Sequence, residues 1–162
     1  DYLKRIFSVI LVFLLLCGCK SQTKITPLKT GITFSANATY YNETYECDCD
    51  IQKNGDMTVK FTYPAEIEGL KFVFTKNGIS VNFKDIEYVS DNIVFENSVA
   101  SLLHEVISKD NTEIYEHNDV FYFDGVNNDF EYRMEFGATG LPIKITTKPD
   151  VAKIEFRNVK II

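Results

Sequence analysis

From Ile32 onward, apolar and polar residues alternate with a period of two through one short segment after another. Phe130, Tyr132, Met134 and Phe136 alternate with Glu131, Arg133 and Glu135; Met57, Val59, Phe61 and Tyr63 alternate with Thr58, Lys60 and Thr62. A β-strand sends successive side chains to opposite faces, so each such segment is a strand dry on one side and wet on the other. The pattern recurs over 32–41, 45–51, 70–75, 79–88, 112–116, 120–124, 141–147 and 152–156. Turn formers separate the segments, among them Asn54-Gly55-Asp56, Asn77-Gly78 and Pro149-Asp150. Strands joined by turns this short are antiparallel neighbours. The expected architecture is mainly β (α+β): about ten strands in one curved antiparallel sheet.

One segment breaks the alternation. Val99, Leu102, Leu103, Val106 and Ile107 recur at helical spacing, with Asn97 or Ser98 able to cap the start, so 98–109 is expected to be an amphipathic helix. Its stripe either packs as ordinary core or forms a lid over a hollow. The second reading has weight because a helix of about 18 Å is short beside ten strands.

The N-terminus reads as an address. Lys4 and Arg5 precede an apolar run from Ile6 to Leu16, broken only by Ser8. That run is shorter than the roughly 20 residues a membrane helix needs and matches a signal-peptide core. Leu16-Cys17-Gly18-Cys19 follows, and the segment resembles a bacterial lipoprotein signal, cut after Gly18 and lipidated on Cys19. The chain opens on Asp1 rather than Met, so a start further upstream is expected. The organisation read from sequence is a signal over 1–18, a lipidated cysteine with a polar tether over 19–31, and a β domain over 32–162. A diacylglyceryl thioether at Cys19 implies an extracytoplasmic protein held at a bacterial membrane.

Composition then narrows the class. Hydrophobic residues make up 45% of the chain and glycine and proline are few, which excludes disordered and collagenous chains. The net charge of −6 becomes −7 once Asp1, Lys4 and Arg5 leave with the signal, and Arg133 and Arg157 are the only arginines of the body. Nucleic acid is not an expected partner, because binding a phosphate backbone needs a basic stripe.

Four stretches carry a family resemblance: Pro64-x-x-Ile67-x-Gly69-Leu70-x-Phe72, Asn77-Gly78-x-x-Val81-x-Phe83, Leu141-Pro142-x-x-Ile145 and Ile154-x-Phe156-x-Asn158-Val159. In this order around a central helix, they resemble the LolA-like extracytoplasmic lipoproteins. The resemblance implies an open β half-barrel, with an apolar concavity that in several members holds lipid or acyl chains. Its expected lining is Phe61, Phe72, Phe74, Phe130, Tyr132 and Met134 on strands, with Leu102, Leu103 and Val106 on the helix. One departure stands out: the family usually has a helix before the first strand, and 20–31 has no apolar period to form one. Other members are protein-binding scaffolds, so a partner protein is the alternative to an apolar ligand.

The remaining candidates carry less chemistry. Cys47 and Cys49 share a strand face with Tyr45 and Ile51, which leaves three readings: buried small apolar residues, a redox-active pair, or an intermolecular or metal-linked pair. A disulfide between them is hindered on a regular strand, where side chains two apart run parallel. Asp50 to Asp56 places Gly55 at the sixth position of a calcium loop, but the twelfth falls on Phe61, where a carboxylate is required. His104 and His117 read as surface residues. No catalytic serine elbow, zinc-protease or phosphate-loop motif occurs, so the expectation is a protein that is not an enzyme, with no metal and no cofactor.

Overall fold

The computed structural model describes residues 25–91, 98–109, 113–127 and 130–162. The expected signal over 1–18, with Leu16, Cys17 and Gly18 at its expected cut, and Cys19 lie outside the described residues. Among the described residues, eleven strands form one antiparallel sheet: β1 (Ile32–Tyr40), β2 (Glu43–Ile51), β3 (Met57–Tyr63), β4 (Lys71–Thr75), β5 (Gly78–Phe83), β6 (Ile86–Ser90), β7 (Tyr115–His117), β8 (Val120–Val126), β9 (Glu131–Phe136), β10 (Pro142–Lys148) and β11 (Ala152–Ile161). The order is β6-β5-β4-β3-β2-β1-β11-β10-β9-β8-β7. Every step but one joins sequence neighbours, as the short turns require. The exception, β1 with β11, brings the two ends of the body together at the centre. The edges β6 and β7 do not meet, so the sheet is open and curved, the half-barrel that the resemblance implied.

The extra strand comes from 79–88, read as one strand and found as a hairpin. Its turn is Lys84-Asp85, with Lys84 in the left-handed region at φ 53°. Lysine is no turn former, and Asp85 alone, without a glycine, proline or asparagine next to it, marks the break only faintly in the pattern of residue types.

Because neighbours are antiparallel, the turns alternate between two ends. The β2–β3, β4–β5, β7–β8 and β9–β10 turns share one, here the basal end, with Gly31 and Ile162. The β1–β2, β3–β4, β5–β6, β8–β9 and β10–β11 connections share the distal end.

The helix α1 spans Val99–Ser108, close to its expected limits, and Ser98 caps it by accepting the Ser101 N–H at 3.1 Å. Its stripe, Val99, Leu102, Leu103, Val106 and Ile107, is buried against the inner face of the sheet. The outer face is polar and laddered with charges: Arg133 donates two hydrogen bonds to Asp124 across β8 and β9, and Lys144 pairs with Glu135 across β9 and β10.

The packed body begins before β1. From Ile25 the chain already packs on the body: Ile25 is buried, Leu28 lies against the core, and the Leu28 N–H donates to the Gly140 carbonyl at 2.8 Å. Thr26 passes so close to Gly140 that a β-carbon there would sit 2.5 Å from its carbonyl oxygen, and φ is +78° as well, so glycine is required. This stretch is not helical, in line with its missing apolar period.

Candidate functional site

The inner face is built by alternation and closed only in part. An eleven-stranded sheet is roughly 50 Å across at about 4.8 Å per strand, whereas a ten-residue helix is about 15 Å long and some 10 Å wide. The helix lies over the middle. On one side His104 stacks on Phe74 of β4, with ring centroids 4.3 Å apart. On the other, Asn127 donates to Glu105 at 2.6 Å, and the Lys109 ammonium donates to the Val126 carbonyl at 2.8 Å. Lys29 reaches the Lys109 carbonyl from the N-terminal segment, which joins that segment to the helix end.

All nine side chains expected to line a hollow lie together on this covered face. Phe61, Phe72, Phe74, Leu102, Leu103, Val106, Phe130, Tyr132 and Met134 are each at most 7% exposed and belong to one contiguous core. The apolar face that meets solvent lies further along. Register places Val81 beside Phe72 and Tyr88 beside Val81, Ile79 beside Phe74, and Phe83 beside Ile86, so these residues continue the inner face across β5 and β6. Cover thins along that row: Ile79 and Val81 are half-buried, Tyr88 is 50% exposed and Ile86 72% exposed. Sequence reasoning missed this region because it took 79–88 as a single strand and so could not find the Val81–Tyr88 and Phe83–Ile86 pairs.

Two polar groups on the covered face are unusual. The Tyr132 ring lies over Gly125, its cross-strand partner; a β-carbon on Gly125 would come within 2.3 Å of the phenol oxygen. That hydroxyl is buried without a hydrogen-bond partner among the described residues. Burial, with the Glu105 carboxylate nearby, pushes its pKa to about 12. His104, expected at the surface, is half-buried, and desolvation lowers its pKa; the stripe pattern placed it one step off the apolar face, where the stack on Phe74 shelters it. His117 is exposed, as expected.

Cys47 and Cys49 point inward, both buried, with sulfurs 3.8 Å apart and no disulfide. The β1–β2 register is unbroken along them, so β2 keeps the parallel side-chain geometry that hinders closure. Burial, then the neighbouring Cys47 thiol, raises the Cys49 pKa well above its ordinary value, which suits small apolar core residues rather than a reactive thiolate. In the acidic turn below them, Gln52 holds Asp50 and Asn54 holds Asp56. On the outer face an open groove of about 460 Å³ is lined by Asp124, Arg133, Glu135 and Lys148. Arg133 bonding holds the Asp124 carboxyl below its usual range, and the groove's charges largely satisfy one another.

No family model and no curated protein matches this chain. Among solved structures, it is similar to an uncharacterized conserved protein from Thermus thermophilus, with TM-score 0.58 and 12% identity over 83% of this chain and 80% of that one. A LolA superfamily protein, NE2245 from Nitrosomonas europaea, superposes more loosely, with TM-score 0.42 and 10% identity over 81% of this chain and 84% of that one. At such identities the first likeness is one of fold alone.

Proposed function

We propose that this chain is a lipoprotein, anchored through Cys19 on the outer side of a bacterial membrane, that binds an acyl chain or similar apolar ligand on the concave face of its sheet and catalyses no reaction. The observation that carries this reading is the apolar row running out from under the helix, through Val81 and Phe83 to Tyr88 and Ile86. Burying even half of such a row removes on the order of 100 Å² of apolar surface from water, worth about 2–3 kcal/mol at 25 cal/mol per Å². Extending a chain under the helix would add to this.

The test is uptake. Purified protein should bring lipid into native mass spectrometry and should bind a fluorescent fatty acid. Ile86→Asp and Tyr88→Asp stand at exposed sites, so they should keep the fold and weaken uptake. Equal uptake by both variants, or no uptake by the parent, removes the reading.

A second reading has its own support. The nine expected lining residues are packed in the core, as they would be in a scaffold that holds a partner protein at the membrane. Failure of lipid uptake together with retention of a specific partner would favour it.

A further inference from the structure

The described chain enters the body at the basal end, where Thr26 and Leu28 lie against Gly140. Six peptide steps separate Cys19 from Ile25. Whatever path they take, they span no more than about 20 Å at 3.3–3.6 Å per residue. On the anchor reading proposed above, on which this inference rests, the basal end is therefore kept close to the bilayer.

The surface of that end suits the position. Ile161 is 66% exposed and Ile162 46%, beside Lys160. The Ile162 N–H donates to the Gly31 carbonyl, and Ile162 borders an open hollow of about 430 Å³ with Gln52, Lys53 and Asn54. Aliphatic side chains flanked by lysines match the bilayer interface, where methyl groups enter among the headgroups and ammonium groups meet phosphate. Charge is divided the same way. The distal turns carry Glu66, Glu68, Asp85 and Asp150 against Lys84, whereas the basal turns carry Asp56, Asp91 and Asp119 against Lys53 and Lys76, with Lys160 and Asp50 both level with Thr33 at the strand ends. Lys20 and Lys24 add positive charge to the segment between Cys19 and Ile25. An anionic membrane therefore repels the distal end more than the basal one.

We infer that the basal end, with Lys53, Lys76, Lys160, Ile161 and Ile162, is the face this protein lays against an anionic lipid bilayer. The half-open β5–β6 tip, with Phe83 and Ile86, then points away from the membrane by roughly the length of the strands. Cargo or a partner is met in the aqueous space rather than at the lipid surface.

The experiment uses the full lipidated protein in vesicles of phosphatidylglycerol and phosphatidylethanolamine. Single labels go at Asn77→Cys on the basal end or Glu66→Cys on the distal end; Cys47 and Cys49 are buried and do not compete for the dye. Energy transfer to a headgroup acceptor should place the Asn77 label nearer the lipid by about 25 Å, the length of the strands between the ends. Equal or reversed distances, with the acyl mass present on Cys19, overturn the orientation and leave the anchor standing. An unmodified Cys19 removes both. A variant combining Lys53→Glu, Lys76→Glu and Lys160→Glu should move the basal label outward on anionic vesicles and leave it unmoved on zwitterionic ones. No movement on either overturns the electrostatic contact.

Discussion

Replacing Tyr132 with phenylalanine should make this protein more stable, although it removes a polar group from a residue only 2% exposed. The phenol oxygen sits over Gly125 without a hydrogen-bond partner among the described residues. A buried polar group left unpaired costs about 1–3 kcal/mol, whereas a hydroxyl's dispersion contacts return only a few tenths. Tyr132→Phe should therefore gain about 1 kcal/mol, which for a domain of this size is a rise of about 4 °C in Tm. The pH dependence gives a second readout. The pKa is pushed up to about 12 in the fold and is near 10 in the unfolded chain. Above pH 10 the unfolded chain thus holds fewer protons, and stability falls as pH rises toward 12, by up to about 1.4 kcal/mol per unit. The variant should lose this slope. Urea denaturation at pH 7.5, 10 and 11 measures both effects. A lower midpoint at neutral pH with an unchanged alkaline slope would refute the reasoning and point to a water molecule or a repositioned Glu105 satisfying the hydroxyl.

Four further outcomes are expected. Gly125→Ala drives a β-carbon to 2.3 Å from the Tyr132 ring and should cost about 2–3 kcal/mol; in a Tyr132→Ala background it should cost far less, and additive denaturation midpoints would contradict the packing. Leu103→Ala at a fully buried position should lower stability by about 3 kcal/mol and raise dye binding as the helix loosens. Burial lowers the His104 pKa, so below about pH 6.5 the unfolded chain takes up more protons than the folded one and stability falls with pH; His104→Phe should flatten the thermal midpoint between pH 7.5 and 5. The β2 thiols, with Cys49 raised by burial, should resist a thiol reagent at pH 8 and react once urea unfolds the domain. Silence after unfolding would mean that they had formed a disulfide.

Much of this fold is legible in the chain because a strand's side-chain period is two and a helix's is 3.6, so local pattern states which face is dry. Short turns then fix the antiparallel order, and Ser98 and the stripe from Val99 to Ile107 locate the helix almost to the residue. The same parity puts Cys47 and Cys49 on the inner face. The turn at Lys84-Asp85 escapes such reading because its conformation is imposed by the strands on either side. Ile25 and Leu28 escape it because two apolar residues among polar ones carry no period; only the nearness of Gly140 makes them part of the core.

What the sequence determined by itself is the sheet, its dry face and the amphipathic helix, since each follows from spacing along the chain. How far that helix reaches across the face is decided only in three dimensions, where about 15 Å of helix meets some 50 Å of sheet. So too are the ring of Tyr132 over Gly125, the shelter given to His104, and the open row at Ile86 and Tyr88. These depend on which residues come together across strands far apart in sequence, and that is fixed by closing the meander through β1 and β11 rather than by any local pattern.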